Sequence, residues 1–149
     1  MHTIESNYTG ELRTTAIHLK SGNRIITDAP VDNMGKGEAF SPTDLLCASL
    51  GSCMLTIMGI TANERMADIS GTRAAITKIM ASNPRRVAEI IIEIEFERPV
   101  DDKLRRVLET TALNCPVAKS LDSEIKQRVS FKYPENRYKI EWRFGRKLF

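Results

Sequence analysis

The stretch Ser41-Pro42-Thr43-Asp44-Leu45-Leu46-Cys47-Ala48-Ser49-Leu50-Gly51-Ser52-Cys53-Met54 decides the fold. Ser41 suits a helix N-cap, Pro42 the first helical position, and Asp44 the third, where a carboxylate can return to the cap N–H and meet the positive end of the helix dipole. A helix is expected to start here. From Leu45 to Ala62 apolar or small residues fill nearly every position, among them Leu46, Ala48, Leu50, Met54, Leu55, Ile57, Met58 and Ile60, so the helix has no wide polar face and is expected to be a central one, buried on most sides. Ser49, Gly51, Ser52, Thr56 and Gly59 interrupt the run and leave it short of the roughly 20 strongly apolar residues of a membrane span.

Outward from this helix the chain reads as alternating extended and helical segments. On the N-terminal side, Thr14 to Lys20 and Arg24 to Asp28 are short extended stretches around the hairpin chemistry of Ser21-Gly22-Asn23, and Asp32 to Phe40 is a glycine-bearing loop. On the C-terminal side, Thr72 to Ala81 and Val87 to Arg98 read as a long antiparallel hairpin. Its second strand sets Ile92, Ile94 and Phe96 against Glu93, Glu95 and Glu97, which implies one wet face. Asp101 to Leu113 returns to a helical period, with Leu104, Val107, Leu108 and Ala112 on one side. Cys115-Pro116 then opens a short helix to about Leu121. Val129 to Tyr133 and Tyr138 to Phe144 read as closing strands.

The chain has 149 residues, 42% hydrophobic and 28% charged, which suits one soluble domain over residues 1–149 with a real core. Residues 1–12 carry His2, Glu5, Asn7 and Glu11 and do not resemble a basic, apolar leader, so a cytoplasmic location is expected. The net charge of +3 is uneven: from Lys126 onward eight Lys or Arg face two Glu, leaving about −3 on the preceding residues. Because Tyr138, Ile140, Trp142 and Phe144 alternate with Lys139, Glu141 and Arg143, this basic end reads as a strand with one wet face before it reads as a nucleic-acid surface.

Three cysteines without a Cys-x-x-Cys pair argue against both a disulfide scaffold and a zinc ribbon. His2 and His18 stand apart from other ligand types, so no metal is expected, and no phosphate-cradling glycine loop follows a strand. Cys47 lies six residues before Cys53, about 240° around the helix, and is assigned to packing. By position alone Cys115, at a helix start, is the better thiolate, whereas Cys53, some three turns into an apolar helix, needs a neighbouring cation.

The order of meander, Ser-Pro-Thr-Asp-Leu-Leu motif, long helix with Gly51-Ser52-Cys53, hairpin, helix and Cys115-Pro116-Val117 resembles the OsmC/Ohr proteins, named for osmotic induction and organic hydroperoxide resistance. The resemblance runs from about Tyr8 to Tyr133. It implies an α+β fold in which antiparallel sheets wrap around long central helices of an intertwined homodimer, with sites at the dimer interface. It also implies a thiol peroxidase, active in oxidative stress, that needs no cofactor. Cys53 would attack an organic hydroperoxide, Cys115 would resolve the product as a disulfide, and an external dithiol would reduce it.

The cation implied for Cys53 is an arginine of the N-terminal strands, with Arg13 the match by position and Arg24 a second choice. Peroxidase members carry a Glu directly after the helix-start Pro, where it holds that arginine; here Thr43 occupies the place. Asp44, one residue on, and Glu38, in the preceding loop, are the acids left to orient it. This departure keeps a second function in view: a dimeric module binding a small apolar or acyl ligand in a cleft lined by Met34, Phe40 and Met54, with structural cysteines. Electrostatic nucleic-acid binding by the basic end ranks third.

Overall fold

The computed structural model describes residues 1–134, which form an α+β structure with two three-stranded sheets and three helices. The expected strand at Tyr138 to Phe144 and most of the basic end lie outside the described residues. The chain divides into two compact units, Met1–Ala48 and Ser49–Phe149.

The first unit carries β1 (Ile4–Gly10), β2 (Arg13–His18) and β3 (Arg24–Asp28) in one antiparallel meander. The β2–β3 turn is the one the sequence indicates: Gly22, at φ +72°, donates its N–H to the His18 carbonyl at 2.8 Å, and His18 N–H reaches the Asn23 carbonyl at 2.9 Å. Strand β1 is an addition to the sequence reading. Its residues are polar and exposed along almost their whole length, so no hydrophobic alternation announces it. Its turn is equally silent, because the two central residues with positive φ are Glu11 and Leu12 instead of Asn or Gly. Contacts at this turn are the Lys36 Nζ to Glu11 Oε2 pair at 2.9 Å and the Ala29 N–H, which donates to the Leu12 carbonyl at 3.0 Å.

Helix α1 (Pro42–Glu64) starts where the capping residues place it. Ser41 N–H donates to Asp44 Oδ2 at 2.9 Å while Asp44 N–H donates to Ser41 Oγ at 3.1 Å, a reciprocal capping box. The helix is long and apolar enough to cross a membrane by length and composition. Leu50, Met54 and Met58 are nevertheless fully buried in the protein, each contributing on the order of 1.5–3 kcal/mol. Burial is more one-sided than the sequence suggests, since Ser52, Thr56, Ile60 and Asn63 form an exposed, uncharged stripe.

In the second unit β4 (Arg73–Ala81) and β5 (Arg86–Glu95) form the expected hairpin, and β6 (Lys126–Lys132) joins β5 in parallel. Ile90, Ile92, Ile94 and Phe96 point into the core, while Glu95 spans the outer face between Arg73, at 2.8 Å, and Lys132, at 3.6 Å. A parallel partner requires a crossover, and α2 (Asp102–Leu113) with α3 (Pro116–Ser120) supplies it. Asp101 caps α2 by accepting the N–H groups of Lys103 and Leu104, and Leu104, Leu108 and Ala112 form its buried face.

Candidate functional site

Two constellations contain the candidate residues. The first lies on β2, β3 and the following loop. Arg13 and Asp28 are paired in register across the hairpin, and the contact is two-pronged: Nε to Oδ1 at 2.7 Å and one terminal nitrogen to Oδ2 at 2.8 Å. The same terminal nitrogen reaches Glu38 Oε2 at 3.0 Å. Asp28 is only 2% exposed, yet the Arg13 hydrogen bonds, helped by its charge and by the Glu38 N–H, hold the carboxyl below its ordinary range against the opposing effect of burial. The guanidinium is correspondingly driven further toward its charged form, first by Asp28 and then by Glu38.

Glu38, an expected orienting acid, therefore does touch Arg13. Asp44 Oδ2 accepts the Ser41 N–H in the helix cap. Arg24, the second-choice cation, sits exposed at the start of β3. Asp28 is the residue that sequence reasoning missed. Its signal was present: counting outward from His18 and Asn23, the residues facing each other across the turn, the pairing reaches Arg13 opposite Asp28.

The second constellation belongs to the second unit. Cys53 is half-buried on α1 and Cys115 is fully buried as the N-cap of α3, 62 positions away in sequence, and the fold brings Cys53 near enough to Cys115 to act on its ionisation. Ala118 N–H donates to Cys115 Sγ at 3.4 Å, the helix-start contact expected to favour a thiolate. Burial outweighs it. The Cys115 thiol is pushed up from its ordinary value, first by burial and further by the adjacent Cys53, so the helix-start position does not make Cys115 a ready thiolate.

Other sequence candidates take structural places. Cys47 is buried, as its packing assignment requires, and His18 Nδ1 lies 2.6 Å from Ser21 Oγ in the hairpin turn. Met34 and Phe40 are exposed in the loop, but Met54 is wholly enclosed and lines no open cleft.

Chemically, the second constellation offers two free thiols from different helices, and the first a cation held by two acids. Comparison with known proteins follows the same lines. Residues 35–130 match the family model described as OsmC-like protein. A solved structure from Psychrobacter arcticus, described as an osmotic stress induced and detoxification response protein, is 59% identical, with 88% of this chain and 96% of that chain covered at a TM-score of 0.86. An OsmC-like protein of Mycoplasma pneumoniae shares the fold at 21% identity and TM-score 0.75, covering 89% of this chain and 96% of its own. An organic hydroperoxide resistance protein OsmC from Legionella pneumophila does so at 13% identity and TM-score 0.70, covering 89% and 98%. None of the curated proteins matches the chain.

Proposed function

The chain belongs to the OsmC-like protein family, and from that premise we propose that it is a thiol-dependent peroxidase reducing organic hydroperoxides in the cytoplasm. The observation that carries the proposal is the adjacency of Cys53 and Cys115 in a chain that places them on different helices. The Cys53 thiolate attacks one peroxide oxygen, the O–O bond breaks, and the alcohol leaves after taking a proton, which makes Cys53 a sulfenic acid. Cys115 then condenses with it, releasing water and forming a disulfide, and an external dithiol returns both sulfurs to thiols. Half-burial of Cys53 suits the attacking role and full burial of Cys115 the resolving one. Arg13 is the proposed stabiliser of the Cys53 thiolate.

The working form is proposed to be a homodimer. The exposed apolar side chain of Ile60 on α1, and those of Ile25, Ile26 and Phe40, support that reading, since large apolar side chains left on a surface gain from cover. A monomer in sedimentation equilibrium would remove it.

The deciding experiment treats reduced protein with one equivalent of an alkyl hydroperoxide. Two thiols are expected to disappear together, and Cys53→Ser should leave the peroxide unconsumed. Peroxide consumption by that variant would end the peroxidase reading, and a co-purifying apolar or acyl ligand with no thiol oxidation would favour the binding module instead.

A further inference from the structure

The position directly after the helix-start Pro42 is Thr43 and carries no acid. We infer that Asp28 is the positioning residue for Arg13 and that Glu38 is a second, exchangeable partner; the inference rests on the reading that Arg13 serves the Cys53 thiolate.

The two carboxylates differ in ways that assign the roles. Asp28 is buried and grips the guanidinium at two points, and both residues sit on the backbone of one β ladder, so neither end of the contact is free to drift. The same residue secures the loop that leads into α1. Asp28 Oδ2 accepts the Glu38 N–H at 3.0 Å, and the Asp28 N–H donates to the Phe40 carbonyl at 3.0 Å, one residue before the Ser41 cap. One residue thus holds the cation with its side chain and, through its side chain at Glu38 and its backbone at Phe40, holds the loop that enters α1.

Glu38 touches Arg13 once, from a loop, with 63% of its side chain exposed. Water competes for such a contact, so it is readily exchanged. Exchange matters because a guanidinium facing two carboxylates is more than neutralised. For a thiolate to benefit, one acid must let go, and only Glu38 can do so without breaking the ladder pair. At the helix start the Thr43 hydroxyl lies 3.1 Å from Ser41 Oγ.

The test measures the pH dependence of Cys53 alkylation by iodoacetamide, located by mass spectrometry, in full-length wild type, Arg13→Gln, Asp28→Asn and Glu38→Gln. Positioning and simple charge compensation give opposite signs at Asp28. Deleting a negative charge alone lowers the thiol pKa, whereas losing the hold on Arg13 raises it. Arg13→Gln and Asp28→Asn are expected to raise the Cys53 pKa by about one unit, and Glu38→Gln to leave it unchanged or lower it. An unchanged or lowered value in Asp28→Asn, or no response to Arg13→Gln, overturns the inference. If Asp28→Asn does not fold, Asp28→Glu keeps the charge on a longer arm and carries the same expectation of a raised pKa, with an unchanged value overturning it. Hydroperoxide turnover by wild type is measured separately, so its absence would sink the peroxidase reading while the alkylation series still decides the role of Asp28.

Discussion

Asp28 stands directly across the β2–β3 ladder from Arg13 and holds two of its N–H groups at 2.7 and 2.8 Å from a nearly inaccessible position. A carboxylate buried in this way is costly unless paired, and here the pairing prevails, since its proton is bound more weakly than in an exposed aspartate.

The acid side of the stability profile should report this pair. The folded carboxyl titrates below its ordinary 3.8, so its contribution is complete above that pH and is lost as the pH falls through the lower folded value. Thermal melts of wild type and Asp28→Asn are expected to differ from neutrality down to about pH 4 and to converge below it. A gap that stayed constant to pH 2 would mean that shape, not charge, makes the contact.

Cys115 should be the slow thiol. Its folded pKa is raised, chiefly by burial, so little thiolate exists at neutral pH and little reagent can reach it. In native protein at pH 7.5 iodoacetamide is expected to label Cys53 at least about tenfold faster than Cys115, and denaturation should abolish the difference. The sign for stability follows: the folded state keeps a proton that the unfolded thiol gives up, so the Cys115 contribution declines as the pH rises above the ordinary thiol value. In Cys115→Ser, one equivalent of hydroperoxide should still be consumed while Cys53 sulfenic acid accumulates, trapped by dimedone. Unimpaired disulfide formation in that variant would assign resolution to another thiol.

Gly35 is required by close approach. A Cβ there would lie 1.7 Å from the Ala29 carbonyl oxygen, a backbone atom that cannot rotate away. Gly35→Ala should therefore push the loop from the end of β3 and loosen its neighbours Lys36 and Glu38, which engage Glu11 and Arg13. We expect a loss of about 1–3 kcal/mol in chemical denaturation. Wild-type stability in Gly35→Ala would show that the loop can move without cost.

Much of the fold was legible because its signals are local. The Ser41 to Asp44 cap, the Ser21-Gly22-Asn23 turn and the Ile92, Ile94, Phe96 alternation each act within a few residues, and each element formed where those signals put it. Strand β1 escaped because it is mostly exposed and polar and turns on Glu11 and Leu12, residues that seldom adopt left-handed backbone and so give no turn signal.

The site divides along the same line. Residue order alone places Cys53 on α1, puts Cys115 at the cap of a short helix before Pro116, and leaves no acid at Thr43. Folding in three dimensions makes the two thiols neighbours, pushes the Cys115 thiol up through burial in spite of its helix-start position, and gives Arg13 to Asp28. Capping and periodicity are properties of adjacent residues, whereas a thiol's solvation and an arginine's partner depend on sheet register and crossover, which bring together residues that the chain keeps far apart.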